Sequence, residues 1–221
     1  MELNDVKHLY AGETAWVVGS GGTLNHLSPE FFRGKLVVST NLGPVKFGIS
    51  RPQFVFTHYH SDAAEALDVA SVVVTLAGDT RTQQPWQGEV PDNLILIPQD
   101  SYVGPSDGWD PNSSHPPRAD SLVYGSSSLH GAMHLAAWVG AAHIVMVGAD
   151  CGRLDGTTNL DGYPTLGGPG DTDRILSLYE RDHNRMKRFL VNRYGVTVYS
   201  LNPFINLNLE GHTFVGPDGH Y

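Results

Sequence analysis

The sequence predicts an α/β fold: a mainly parallel sheet with helices on both faces and long loops at the carboxyl ends of the strands. Three observations point there. Short apolar runs alternate with stretches of helical character. Most runs are continuously hydrophobic, as in strands covered on both sides. The 221 residues, 40% hydrophobic and 17% charged, suit a single α/β domain over 1–221 with a full core.

The elements follow in order. Residues 15–19 are an apolar run ending at glycine, and residues 20–23 form a glycine-rich turn. A helix is expected over 24–32, then strands over 36–39 and 54–57. Asp62 is placed as the cap of a helix reaching Ala70. Strands follow at 72–76 and 94–97, the latter stopped by Pro98. Residues 98–121 are rich in Pro, Ser, Asp and Gly and read as an active-site loop or lid. A helix over 127–139 ends at Gly140, and 144–148 is the sixth strand. A second Gly/Asp/Thr-rich loop covers 152–171. A long helix over 172–194 and a last strand over 197–201 complete the series, and no internal repeat is present.

Composition excludes several classes. No apolar run approaches the ~18 residues of a membrane span. Residues 1–10 are polar and lack a secretory core, so a cytoplasmic location is expected. The single cysteine, Cys151, allows neither an internal disulfide nor a cysteine-rich zinc site. The net charge is −9, and no basic run offers the face that duplex DNA requires. Arg181, Arg185, Lys187, Arg188 and Arg193 are expected around the solvated side of their helix.

Ligands of parallel sheets bind beyond the carboxyl ends of the strands. The segments after strands therefore hold the candidates. Gly19, Ser20, Gly21, Gly22 and Thr23 can turn tightly and bring backbone N–H groups to a phosphate; a plain strand-to-helix connection is the alternative. The turn lacks the lysine of a P-loop and is not the full dinucleotide fingerprint. Asn41 follows the second strand. Ser127 and Ser128 open a helix, where hydroxyls cap and N–H groups hold an anion. Asp150, after the sixth strand, suits a metal, a ribose or a sugar hydroxyl, or simply a loop cap.

Histidines offer a second chemistry. His58, His60 and Asp62 follow a strand at a spacing similar to the metal-binding run of metallo-β-lactamase-like hydrolases, but Ala63 stands where that run has its final histidine. His115, His130, His134, His212 and His220 are further candidates for such a site. His183 recurs with Leu176, Tyr179, Met186 and Leu190 along an apolar helical face. It is either a buried core histidine or a general base.

Together these segments resemble the superfamily of bacterial lipooligosaccharide sialyltransferases and 6-hydroxymethylpterin diphosphokinase-like proteins. Residues 19–24 look like its G-N-G-P-S-L turn, with Ser20 for the asparagine and Gly22 for the proline. Asn41 matches a family asparagine. Ser127-Ser128, Ala132, Leu135-Ala136, Gly140 and residues 144–150 look like its most specific block, and Asp182-His183, Gly195-Val196 and residues 201–203 its closing segment. The resemblance implies a Rossmann-like fold and, in the sialyltransferase branch, a cytidine-monophosphate sugar donor, no metal and a histidine base. It implies that Ser20, Gly21 and Asn41 hold the donor phosphate and ribose, and Ser127 and Ser128 the nucleoside. The family histidine falls at Leu178, with His183 about one turn further on. Tyr163 and Tyr179 fall in the region of two tyrosines that assist the leaving phosphate.

The expected function is sugar transfer from a nucleotide-sugar to an acceptor hydroxyl, with His183 as base and Asp150 as a second catalytic residue, and without a resident cofactor. The acceptor is a glycan, a small molecule or, least favoured, a hydroxylated nucleobase in DNA; a homo-oligomer is compatible. The alternatives are a Mg-dependent diphosphokinase with Asp150 or Asp155 as ligands, the metal hydrolase, and a non-catalytic nucleotide-binding module.

Overall fold

The computed structural model describes residues 1–98, 121–154, 156–163 and 169–201. Seven strands form one sheet: β1 (Thr14–Val18), β2 (Leu36–Thr40), β3 (Phe54–Thr57), β4 (Val72–Leu76), β5 (Leu94–Ile97), β6 (His143–Val147) and β7 (Thr197–Leu201). Every pairing is parallel, in the order β5-β4-β3-β2-β1-β6-β7. The chain steps outward from β1 to β5, then returns to the other side of β1. The crevice between β1 and β6 is therefore the switch point of a Rossmann-like α/β fold.

Side chains alternate across this sheet. Ala15, Val17, Val38, Phe54, Phe56 and Ile144 enter one core with α3 (Ser128–Trp138) and α4 (Pro169–Tyr194). Val18, Val37 and Val147 enter the opposite core, and Val55, Val73 and Leu94 pack there against α2 (His60–Ala66). Both faces being covered, the strands need apolar residues at every position, which produces the continuous runs. Close packing sets Gly131, since a Cβ there would overlap the Phe56 ring.

Four local readings change. The helix expected over 24–32 is two 3-10 turns, Gly22–His26 and Pro29–Phe32. Pro29 cannot donate within a continuous helix, and Ser28 caps the second turn by accepting from the Glu30 amide. A short helix missed in the sequence, α1 (Gly43–Phe47), follows β2 and ends at Gly48 with φ 106°. Helix α2 is capped at Tyr59, so Asp62 lies in its first turn. Lys187, expected on the solvated side, is buried, because α4 packs on both α3 and β7 and so buries a wider stripe. The expected loop over 99–120 lies outside the described residues, as do Asp155, His115, His212 and His220. No described helix is long and apolar enough to cross a membrane.

Candidate active site

A cavity of about 470 Å³ opens at the carboxyl ends of β1, β2, β3 and β6. Gly19, Ser20, Gly21, Asn41, Ser127, Ser128, Asp150 and His183 all line it. Gly22 and Thr23 do not, and serve the turn from behind.

The glycine turn is fixed to the loop after β6. Gly19 N–H donates to Val147 O and Gly21 N–H to Gly148 O, each at 2.8 Å. A Cβ on Gly21 would lie 2.6 Å from Asp150 Oδ2, so only glycine fits. The Asp150 carboxylate accepts from the Thr23 amide at 2.6 Å through Oδ2 and from the Thr23 hydroxyl through Oδ1. Burial raises its pKa, and the two Thr23 bonds and His26 oppose the rise. Asp150 thus holds the start of the 3-10 turn, a distant segment, and not the loop that follows it. The described part of the following loop folds over the turn: Leu160 N–H donates to Ser20 O, and Asp161 N–H to Asn25 Oδ1.

Asn41 has φ 49°, a left-handed conformation that asparagine tolerates. Its side chain is oriented by a relay. Tyr59 N–H donates to the Thr57 hydroxyl at 3.1 Å, and that hydroxyl donates to Asn41 Oδ1 at 2.9 Å. The amide NH₂ of Asn41 is left to donate to a ligand.

Across the cavity, Ser127 caps α3. Its hydroxyl accepts from Leu129 N–H, and His130 Nδ1 accepts from Ser127 N–H. Capping is therefore what Ser127 does, while Ser128 keeps its place on the cavity wall at the positive end of the helix. Ser126 donates to Asp182 Oδ2 at 2.7 Å, tying α4 to this end of α3.

His58 and His183 form the inner wall, His130 packs against His183 without lining the cavity, and burial keeps all three imidazoles uncharged. Desolvation pushes His58 down to about 4 and His130 to about 3, and it holds His183 well below the ordinary histidine range. The His130 and His183 rings meet edge to face with centroids 4.7 Å apart. Nε2 of all three lacks a hydrogen-bond partner among the described residues. The Tyr179 backbone lies near enough to His130 and His183 to oppose their shifts, without bonding either Nε2 in good geometry. His183 Nδ1 is 3.2 Å from Cys151 Sγ. Cys151 itself has φ 50°, and burial pushes its thiol pKa up.

The mouth carries the cavity's cations. Arg81 lies 3.6 Å over the Tyr59 ring, and Lys46 faces Tyr163. Asp79, buried, accepts from the amides of His60, Arg81 and Thr82 at 2.7–2.8 Å and so fixes the loop that carries Arg81. Burial alone would raise the Asp79 pKa, but these bonds hold it down. Tyr163 and Tyr179 line the cavity, each raised to about 12 chiefly by burial, so both phenols stay protonated donors.

The hydrolase trio does not assemble. His60 Nε2 lies 2.9 Å from Leu76 O, turned away from His58, and Asp62 sits on α2 at the rim. Among the described residues no three His, Cys, Asp or Glu side chains gather into a metal-holding group. His134 belongs to the core, where Nδ1 accepts from Val123 N–H and Nε2 meets Tyr194 Oη at 2.7 Å.

Sequence reasoning missed Cys151, Tyr59, Arg81 and Asp79. Cys151 and Tyr59 lie in segments after strands that the rule locating Asn41 and Asp150 singled out, whereas Asp79 and Arg81 follow β4, whose end it passed over. What it lacked was the pairing across the sheet.

No family model matches the sequence, and no curated protein matches it. Among solved structures, the chain is similar to the MAf glycosyltransferase from Magnetospirillum magneticum AMB-1, with a TM-score of 0.49 and 12% identity. The match covers 93% of this chain and 37% of that one, so the chain spans little more than a third of that protein's length.

Proposed function

We propose that this chain is a glycosyltransferase that moves a sugar from a nucleotide-sugar donor to an acceptor hydroxyl. One observation carries the reading. The glycine turn, the Asn41 amide and the start of α3 converge on one cavity at the switch point, opposite a wall that presents His183. Such a cavity supplies the Ser20 hydroxyl and the Asn41 amide to a phosphate on one side and a neutral base on the other, the Gly19, Gly21 and Thr23 amides being spent on holding the turn.

In this reading Ser20, Gly21 and Asn41 hold the donor phosphate and ribose, and Ser127 and Ser128 border the nucleoside. The acceptor oxygen attacks the anomeric carbon and its proton passes to His183 Nε2. The bond from that carbon to the phosphate oxygen breaks, and the electron pair leaves with the nucleotide. Negative charge then grows where Ser20, Asn41 and the phenols of Tyr163 and Tyr179 can donate. Nε2 is the accepting atom when Nδ1–H points at Cys151 Sγ. Asp150 acts through Thr23, holding the turn in shape.

Thermal shift with nucleotides and nucleotide-sugars, with and without magnesium, tests this. At a hundredfold excess over Kd a ligand specific to the folded state adds about 2.7 kcal/mol, equivalent to a rise of roughly 5–10 °C. A metal-independent rise with a nucleotide-sugar is expected. A rise with ATP only when magnesium is present would replace the reading with a diphosphokinase, and nucleotide binding without turnover would leave a non-catalytic module.

A further inference from the structure

We propose that the inner wall centred on His58 is a subsite for an uncharged, hydroxyl-bearing sugar ring, so that the donor carries a neutral sugar rather than an acidic one. This rests on the nucleotide-sugar reading and specifies which sugars it admits.

His58 stands at the end of β3, 7% exposed, on the cavity wall. Its ring is boxed by Tyr124, Phe56 and Tyr59, with centroids at 4.9, 5.5 and 6.4 Å. Its Nε2 has no hydrogen-bond partner among the described residues. A buried polar atom left unanswered is costly, and native proteins rarely keep one without a use. His183, on the same cavity, leaves its Nε2 equally unanswered.

The chemistry of these atoms selects the ligand. A neutral imidazole offers one donor and one acceptor, and a hydroxyl also both donates and accepts. A ring bearing several hydroxyls can answer His58, while His183 Nε2 is left to the acceptor hydroxyl. A carboxylate can only accept, and here it would lose water without gaining a cation. Among the described residues the two cations lining the cavity, Lys46 and Arg81, are exposed side chains at its mouth. Asp62, Glu65 and Asp150 line the same cavity and would repel a second anion beyond the phosphate.

The test is calorimetric titration of the full chain with free CMP, with UDP, GDP and ADP, each free and as its glucose conjugate, and with UDP-glucuronate as the acidic partner of UDP-glucose. The expected result is a glucose conjugate bound about tenfold tighter than its free nucleotide, as one or two neutral hydrogen bonds would give, with UDP-glucuronate weaker than UDP-glucose. His58→Phe, which keeps the ring and removes its nitrogens, should erase the gain from glucose. Its binding of free nucleotide, seated at the α3 end, then reports that the fold is intact. His58→Gln should restore part of the gain. Conjugates no tighter than free nucleotides, glucuronate as tight as glucose, or an unaltered gain in His58→Phe would each overturn the subsite and leave nucleotide binding standing. Absence of binding by every nucleotide, free or conjugated, would overturn both readings.

Discussion

Cys151 Sγ lies 3.2 Å from Nδ1 of His183, a residue 32 positions further along the chain. The thiol can accept from Nδ1–H or donate to Nδ1, and the first arrangement leaves Nε2 of His183 as the acceptor. With its pKa pushed up by burial, Cys151 stays protonated and polarisable, not ionic.

Two consequences of that contact are measurable. Iodoacetamide at pH 8 should label Cys151 in the folded protein at least about a hundredfold more slowly than an ordinary thiol, because the thiolate is the nucleophile. Nitrogen-15 shifts of His183 should report Nδ1–H in the parent and a mixed tautomer in Cys151→Ala. A tautomer unmoved by that substitution would remove Cys151 from the site.

Acid should destabilise the protein before its carboxylates titrate. His58, His130, His134 and His183 all have folded pKa values depressed below 6.5 by burial. Above pH 6.5 both folded and unfolded forms are neutral, so the contribution is complete. Below it the unfolded chain takes up protons that the fold refuses, and stability falls towards the folded values near 3–4. Urea unfolding between pH 7 and 5 should reveal uptake of about four protons by these histidines at pH 5.

Asp150→Ala should cost about 1–3 kcal/mol in urea unfolding, since the Thr23 amide is left buried without its acceptor. Asp150→Asn, which keeps one acceptor oxygen, should cost less and bind nucleotide within about threefold of the parent. A large loss of turnover in Asp150→Asn with binding unchanged would instead make the carboxylate a reacting group.

Gly131→Ala should cost about 1–3 kcal/mol, because the new methyl overlaps Phe56. Adding Phe56→Leu should recover part of that loss, and a double-mutant cycle of denaturation midpoints reads the coupling.

Asp79→Ala should weaken nucleotide binding through Arg81. Three amides lose their common acceptor, so the loop over Tyr59 loosens. The companion variant Arg81→Ala should weaken binding similarly while leaving the melting temperature within about 2 °C, as a surface substitution does.

The sheet was legible in the sequence and much of the site was not. Runs such as 72–76 and 94–97 are apolar throughout because both faces of the sheet are covered, a constraint that writes itself into local composition. The cavity segments were legible for a related reason: residues after parallel strands must lie at one edge. What the chain could not show is contact between distant segments. Thr23 with Asp150, Cys151 with His183 and Arg81 over Tyr59 depend on the return of the chain to β6 or on the ordering of β3 and β4. The helix read over 24–32 failed where Pro29 and the Thr23–Asp150 bonds outweighed apolar spacing.

The backbone bonds joining Gly19 to Val147 and Gly21 to Gly148 make one hinge-free clasp of two segments about 130 residues apart in sequence. Neither half can be exchanged alone. A designer grafting this phosphate turn into another sheet must move residues 19–23 and 147–150 together, and chance recombination between them would yield chimaeras with two mismatched halves of one clasp.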